Sequence, residues 1–292
     1  MCHEVKGFSK FSDKFDPALF NICLFDYICW TLTESMKKLY KFLLNTLPRP
    51  LLIRLSYPFK KIAPLLYKGN KVECPVCGRS FRKFLSYGSN VAHRENVLCP
   101  YDLTLERHRL MWLYLKNESN FFTADHLKVL HIAPEQCFHK KFQAQKNLDY
   151  LTGDLLSPIA DIHFDLHDIP LEDNRFDVIF CNHVMEHVTD ALRCMQELHR
   201  VLKPGGWGIL QVPQDMNRAE TYEDARIVTP EEREKHFWQY DHVRLFGRDY
   251  PDWLRKAGFE VEEYNPNKHF SKELIARYRL LETENLYIVH KR

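Results

Sequence analysis

From Leu127 onward the chain alternates short apolar runs with polar or helix-patterned stretches, and few architectures satisfy that alternation. The runs fall at Lys128–Ile132, Leu148–Thr152, Asp161–Phe164, Phe176–Cys181 and Gly208–Val212. Short runs of this kind separated by helical segments predict an α/β fold, a doubly wound and mostly parallel sheet wrapped by helices. The clearest helix is expected from about Asp190 to Leu202, where Ala191, Leu192, Met195, Leu198, Val201 and Leu202 recur at helical spacing. Thr189 is its expected N-cap, and Lys203-Pro204-Gly205-Gly206 stops it.

Two further regions precede the sheet. Residues 1–70 are aromatic, Leu-rich and broken by prolines into short helical pieces, and residues 71–118 hold a cysteine segment followed by a helix over about Thr104–Asn117. Residues 119–292 then form the α/β domain. The net charge of +2 conceals an asymmetry, because Met36 to Lys83 carry 12 Lys/Arg against the single acid Glu73. A basic segment rich in Leu and aromatics can contact anionic lipid, pack on its own domain, or bind nucleic acid. Peripheral membrane contact through residues 36–70 and packing are preferred over nucleic acid, since no readout module accompanies the charge. Met36 itself reads as a natural start. Nine cysteines in 292 residues do not make a secreted disulfide framework, and the apolar stretch Pro17–Leu32 is interrupted by Asn21 and Asp26. A cytoplasmic protein with reduced thiols is expected, peripheral at the inner face of the membrane if the basic segment meets lipid.

Open parallel sheets bind ligands at the carboxyl ends of their strands. Asp154 follows the second run and can accept hydrogen bonds from a ribose diol; Asp165 follows the third, with Leu166 beside it to lie against a base. Each Asp can equally be a loop cap. The pattern around them is more specific. Asp165-Leu166-His167-Asp168-Ile169-Pro170-Leu171, Phe176-Asp177-Val178-Ile179, Val184-Met185-Glu186-His187-Val188 and His199-Arg200-Val201-Leu202-Lys203-Pro204-Gly205-Gly206 together resemble the class I S-adenosylmethionine-dependent methyltransferases, in particular the type 11 group. The resemblance covers about residues 127–262. It implies S-adenosylmethionine as cofactor and transfer of a methyl group to a small-molecule, glycan or lipid acceptor. It also implies ribose contact by Asp154 with Leu155 beside it, adenine contact by Asp165 and Leu166, and methionine-side contact by Asn182 or His183.

The turn after the first strand departs from that family, which usually carries an acidic residue and a glycine-rich loop there so that backbone can approach the cofactor. Here it reads His131-Ile132-Ala133-Pro134-Glu135, with no glycine between Lys128 and Lys140. His131 and Ala133 are expected to line the cofactor, and Glu135 to receive its ammonium. A domain that has lost the cofactor and works as a binding partner is the alternative. His183 and His242 are the candidate general bases, because imidazole titrates near neutrality, or else structural histidines. His183-Val184-Met185-Glu186-His187 also matches the H-x-x-E-H zinc-peptidase signature, which needs both histidines on one helix; the strand ending at Cys181 argues against that. Finally, Cys74-x2-Cys77 followed by Cys99-x2-Asp102 has the spacing of a structural zinc knuckle with a carboxylate in the fourth place, His93 being the other candidate.

Overall fold

A computed structural model describes residues 64–88 and 93–292. The basic extension through residue 63, with its expected helical pieces and most of the segment expected to contact membrane, lies outside the described residues. Among the described residues no helix is long and apolar enough to cross a membrane. The chain divides into two compact units, one holding residues up to Val72 and Ser80–Leu103, the other Glu73–Arg79 and Thr104–Arg292.

Short strands mark the cysteine segment. They are β1 (Lys68–Cys74), β2 (Arg79–Phe81), β3 (Leu85–Tyr87) and β4 (Arg94–Leu98). β3 and β4 pair antiparallel with Leu85 opposite Leu98. In the smaller unit Tyr67, Phe81 and Phe84 are buried, and the two Phe rings meet edge to face at 6.0 Å.

From Thr104 the larger unit continues with helix α1 (Glu106–Asn117), which buries Leu110, Met111, Leu113, Tyr114 and Leu115. This helix belongs with the sheet. Then follow β5 (Leu127–Ile132), α2 (Gln136–Gln143), β6 (Leu148–Asp154), β7 (Ile162–His163), β8 (Phe176–Asn182), α3 (Ala191–Val201) and β9 (Leu202–Gln211). The remainder comprises β10 (Tyr222–Glu223), α4 (Pro230–Phe237), β11 (Arg244–Leu245), α5 (Tyr250–Lys256), β12 (Glu260–Tyr264), α6 (Pro266–His269), α7 (Lys272–Tyr278) and β13 (Leu286–His290). Seven strands form one sheet in the order β12-β13-β9-β8-β5-β6-β7. All pairs are parallel except β13, which runs antiparallel to both β9 and β12. The expected doubly wound sheet is therefore present, with two strands beyond the five apolar runs.

Burial explains the strand order. β5 and β8 are apolar on both faces, with Val129, Leu130, Val178, Ile179 and Phe180 all at most 1% exposed, as central parallel strands must be. α3 lays Ala191, Cys194, Met195, Leu198 and Val201 into the same core. Its N-cap is Asp190, whose carboxylate accepts the Arg193 N–H, and not Thr189. The shift is one residue, and the Asp190 carboxylate reaches the first-turn amide of Arg193 at 2.9 Å. β9 starts at once at Leu202, so the Lys-Pro-Gly-Gly stretch stops the helix by passing directly into a strand.

Candidate functional site

The strand order reverses direction at β5: its chain continues to β6 on one side while β8 flanks it on the other. The crevice at the carboxyl ends of such a pair is where open sheets take ligands. Residues 133–135 follow the carboxyl end of β5, and β8 ends at Asn182 with His183 next.

The glycine-free turn solves its steric problem with Ala133, which adopts the left-handed conformation itself (φ 49°) and donates its N–H to the Gly153 carbonyl at 2.9 Å. A left-handed alanine costs about 1 kcal/mol. Glu135 then occupies the N-cap of α2 without capping it, because its carboxylate is turned inward. One oxygen accepts from His131 Nε2 at 2.5 Å and the other from the Asn182 amide at 3.0 Å. Burial opposes the ionised carboxylate, but His131, His108 and the Asn182 amide outweigh it and bring its pKa down to about 2.

His131, expected to line the cofactor, is corrected: it has no exposed surface, and its second nitrogen meets the Tyr150 hydroxyl at 2.7 Å. Its contact with the crevice is through Glu135, which it holds in place. His108 comes from α1, where its Nδ1 accepts the Leu105 N–H, so that Nε2 carries the hydrogen. That N–H is buried, has no hydrogen-bond partner, and lies 4.0 Å from Glu135 Oε1. Burial, reinforced by Arg107, keeps its pKa well below the ordinary histidine range. Asn182 Oδ1 is likewise buried and without a partner, while its amide nitrogen also lies 3.5 Å from Met111 Sδ. His108 and Met111 could not be reached by reasoning from the sheet strands alone, since no strand end or motif marks them.

The acids of the neighbouring strands stand nearby in chain order. Asp154 closes β6 and uses Oδ1 to accept the N–H groups of Leu156 and Ser157. Asp165 uses Oδ1 for the His167 N–H and Nδ1; those bonds lower its pKa. Each acid is thus a loop cap on one oxygen while its Oδ2 has no hydrogen bond among the described residues. Leu155 is 59% exposed beside Asp154. Leu166, expected against a base, is only 7% exposed and packs in the core with Ile169 and Met185. Its neighbour Asp165 faces outward because the chain alternates at that point.

Beyond β8, His183 takes a left-handed backbone (φ 56°) and begins a run of turns through Thr189. The absence of a helix there removes the peptidase reading. Glu186 is 1% exposed, 3.4 Å from His183 Nδ1, and its Oε2 has no partner; His183 Nε2 has none either. Burial, aided by Arg107, lowers the His183 pKa in spite of Glu186. His242 is buried and its Nδ1 donates to the Phe237 carbonyl at 2.9 Å. Arg244, 3% exposed, donates to the carbonyls of Met185, Val188 and Thr189 and pairs with Glu223, which fixes the turn.

The four knuckle residues sit in two turns of the same kind. The Gly78 N–H returns to the Cys74 carbonyl at 2.8 Å, and the Leu103 N–H to the Cys99 carbonyl at 3.0 Å. Cys74 and Cys99 are buried; Cys77 and Asp102 are half-buried.

Residues 128–210 match the family model described as a methyltransferase domain. The matched segment, from β5 into β9, is a methyltransferase domain. Among similar proteins, the demethylmenaquinone methyltransferase of Staphylococcus epidermidis is 41% identical over 51 residues, 18% of this chain and 21% of the relative. That of Lactococcus lactis is 27% identical over 138 residues, 42% of this chain and 50% of the relative. The chain thus spans half or less of the length of these two curated relatives. A solved S-adenosylmethionine-dependent methyltransferase of Aquifex aeolicus overlays with a TM-score of 0.38 at 15% identity, covering 58% of this chain and 84% of that one.

S-adenosylmethionine, the donor used by this methyltransferase family, ends in an ammonium and a carboxylate. The methyltransferase crevice offers the ionised Glu135 and the unpaired Asn182 Oδ1 to a cation, and the unpaired His108 N–H to an anion. Buried polar groups cost free energy when unpaired, so this set fits an amino-acid zwitterion.

Proposed function

We propose that this chain transfers a methyl group from S-adenosylmethionine to a small-molecule, glycan or lipid acceptor. The observation that carries the reading is the buried, unpaired donor and acceptor set of His108 and Asn182 around Glu135, at the strand reversal of a methyltransferase domain. When bound, S-adenosylmethionine supplies a methyl group activated by a sulfonium. Glu135 and Asn182 hold its ammonium, His108 its carboxylate, Asp154 its ribose diol and Asp165 its adenine amine, with Leu155 as an apolar wall. Methyl transfer is accelerated largely by alignment, and a base is needed only where the acceptor must lose a proton. His183 is the base candidate on this reading, since burial keeps it neutral and its Nε2 has no partner. His242, whose Nδ1 is held by the Phe237 carbonyl, is a base on this reading only where its Nε2 binds no other group. The two bacterial relatives are named for a quinone acceptor, which falls within the acceptor class proposed.

Calorimetric titration with S-adenosylhomocysteine tests the reading. Heat of binding and a raised melting temperature are expected, both lost in Asp154→Ala with Asp165→Ala. A binding module without cofactor predicts no heat at all. We also propose a structural zinc at Cys74, Cys77, Cys99 and Asp102, supported by ligand type and spacing; metal analysis finding well under one zinc per chain would remove it.

A further inference from the structure

We propose that Glu186, His187 and His242 form a binding site for a divalent transition-metal ion, separate from the cysteine knuckle. An oxygen of Glu186 and one ring nitrogen from each histidine all lie within 4.8 Å of one another. A tetrahedral ion bound at about 2.1 Å spaces its ligands roughly 3.4 Å apart, so the three groups need close only by small side-chain rotations. Glu186 and His242 are almost fully buried, and His187 is half-buried. A buried carboxylate with an unpartnered Oε2 is costly unless something completes it.

The outer contacts point the same way. Histidines that bind metals characteristically donate their other ring N–H to a carboxylate or a backbone carbonyl. Both histidines here are arranged so. His187 Nδ1 lies 3.4 Å from Asp241 Oδ2, and the Gln239 amide fixes that carboxylate through its other oxygen at 2.8 Å. His242 Nδ1 meets the Phe237 carbonyl, which can only accept, so the hydrogen is on Nδ1 and the lone pair of the neutral ring is on Nε2. The two turns are joined before any ion binds, because the Val243 N–H donates to the Glu186 carbonyl at 2.9 Å. Arg244 braces the Met185–Thr189 side. His183 Nδ1 lies 3.4 Å from Glu186 Oε1, the oxygen that His187 Nε2 approaches at 3.9 Å, which leaves Oε2 for an ion.

Two imidazoles and one carboxylate leave coordination positions open, a donor set suited to zinc, iron or cobalt. Glu186 and His187 follow β8 in the chain, so, on the methyltransferase reading above, an open position on the ion would take the oxygen of a hydroxyl-bearing acceptor. The ion site itself does not depend on that reading.

Titration of the chelator-stripped full chain with Co2+, followed in the visible and near ultraviolet, separates this site from the knuckle: nitrogen and oxygen ligands give d–d bands without thiolate charge transfer. One such ion per chain is expected. Glu186→Gln and Asp241→Asn should each weaken it at least tenfold. Asp241→Asn, changing a half-buried outer group, serves where Glu186→Gln melts too low to compare. Failure of wild type to take up an ion with this spectrum, or unchanged affinity in folded variants, overturns the site. Acetohydroxamate added to the cobalt form should shift its bands; no shift overturns the open position. Cobalt binding without S-adenosylhomocysteine binding upholds the ion site and removes only the acceptor role.

Discussion

Glu135→Gln tests the heart of the crevice, because the substitution keeps the shape and removes the charge. The carboxyl is held at about 2 against an ordinary 4.5. A difference of roughly two and a half units at about 1.4 kcal/mol each gives up to about 3 kcal/mol of stability at pH 7. Since the folded-state value is depressed, that contribution is complete above 4.5 and drains as the pH falls toward 2; by pH 3.5 roughly 1.5 kcal/mol is gone. The amide also presents a donor to either His131 or the Asn182 amide, both already donors to the carboxylate. Urea unfolding of wild type and variant at pH 7 and pH 3.5 isolates the effect, because every other carboxylate titrates alike in the two proteins. The gap should approach 3 kcal/mol at neutral pH and narrow by about half in acid. Equal midpoints at pH 7, or a gap that does not narrow, would refute the assignment of Glu135 as an ionised, cradled carboxylate.

Arg109 has no exposed surface and donates to the carbonyls of Thr104, Tyr278 and Arg279 at 2.6–2.8 Å. Arg109→Leu removes the guanidinium donors from these carbonyls and should cost about 3 kcal/mol or more by urea unfolding; a loss under about 1 kcal/mol would show that water replaces it. Gly208 lets β8 and β9 approach, since a Cβ there would sit 2.6 Å from the Ile179 carbonyl oxygen. Gly208→Ala should lower stability by about 1–3 kcal/mol, and an unchanged melting temperature would contradict the close approach. At Ala133, replacement by glycine should leave stability within about 1 kcal/mol, as relieved strain and added chain entropy offset one another. Ala133→Val should cost about 2 kcal/mol or more, and a tolerated valine would mean the left-handed backbone is not required.

The architecture was legible because burial on both faces of β5 and β8 leaves near-continuous apolar runs, and α3 repeats its apolar positions with helical spacing. β12 escaped notice because its exposed residues, Glu260, Glu262 and Glu263, mask an edge strand as a polar loop. For the candidate site, strand ends directed attention to Asp154, Asp165, Asn182 and Glu135. Their partners stayed hidden: His108 reaches Glu135 across 27 positions of sequence, from a helix whose own pattern speaks only of core packing. His131 was visible but misread, since a histidine at a strand end looks the same whether it faces a ligand or a buried carboxylate.

The Ala-Pro-Glu turn puts a firmly held carboxylate, Glu135, at the mouth of α2 without any glycine. In this family an acidic residue follows the first strand; here His131 holds that strand end and the acid stands four residues later, at the mouth of α2. Relocating the acid carries two costs, a left-handed alanine and a helix N-terminus deprived of its side-chain cap. Both are recovered only if the carboxylate is better held in its new place. The short contact from His131, braced in turn by Tyr150, and the Asn182 amide from the neighbouring strand supply that hold. A flexible glycine loop would spoil the arrangement, because His131 and Glu135 must keep a fixed separation for their contact to persist. The missing glycines and the displaced acid are therefore one structural solution, in which rigidity of the turn replaces its openness.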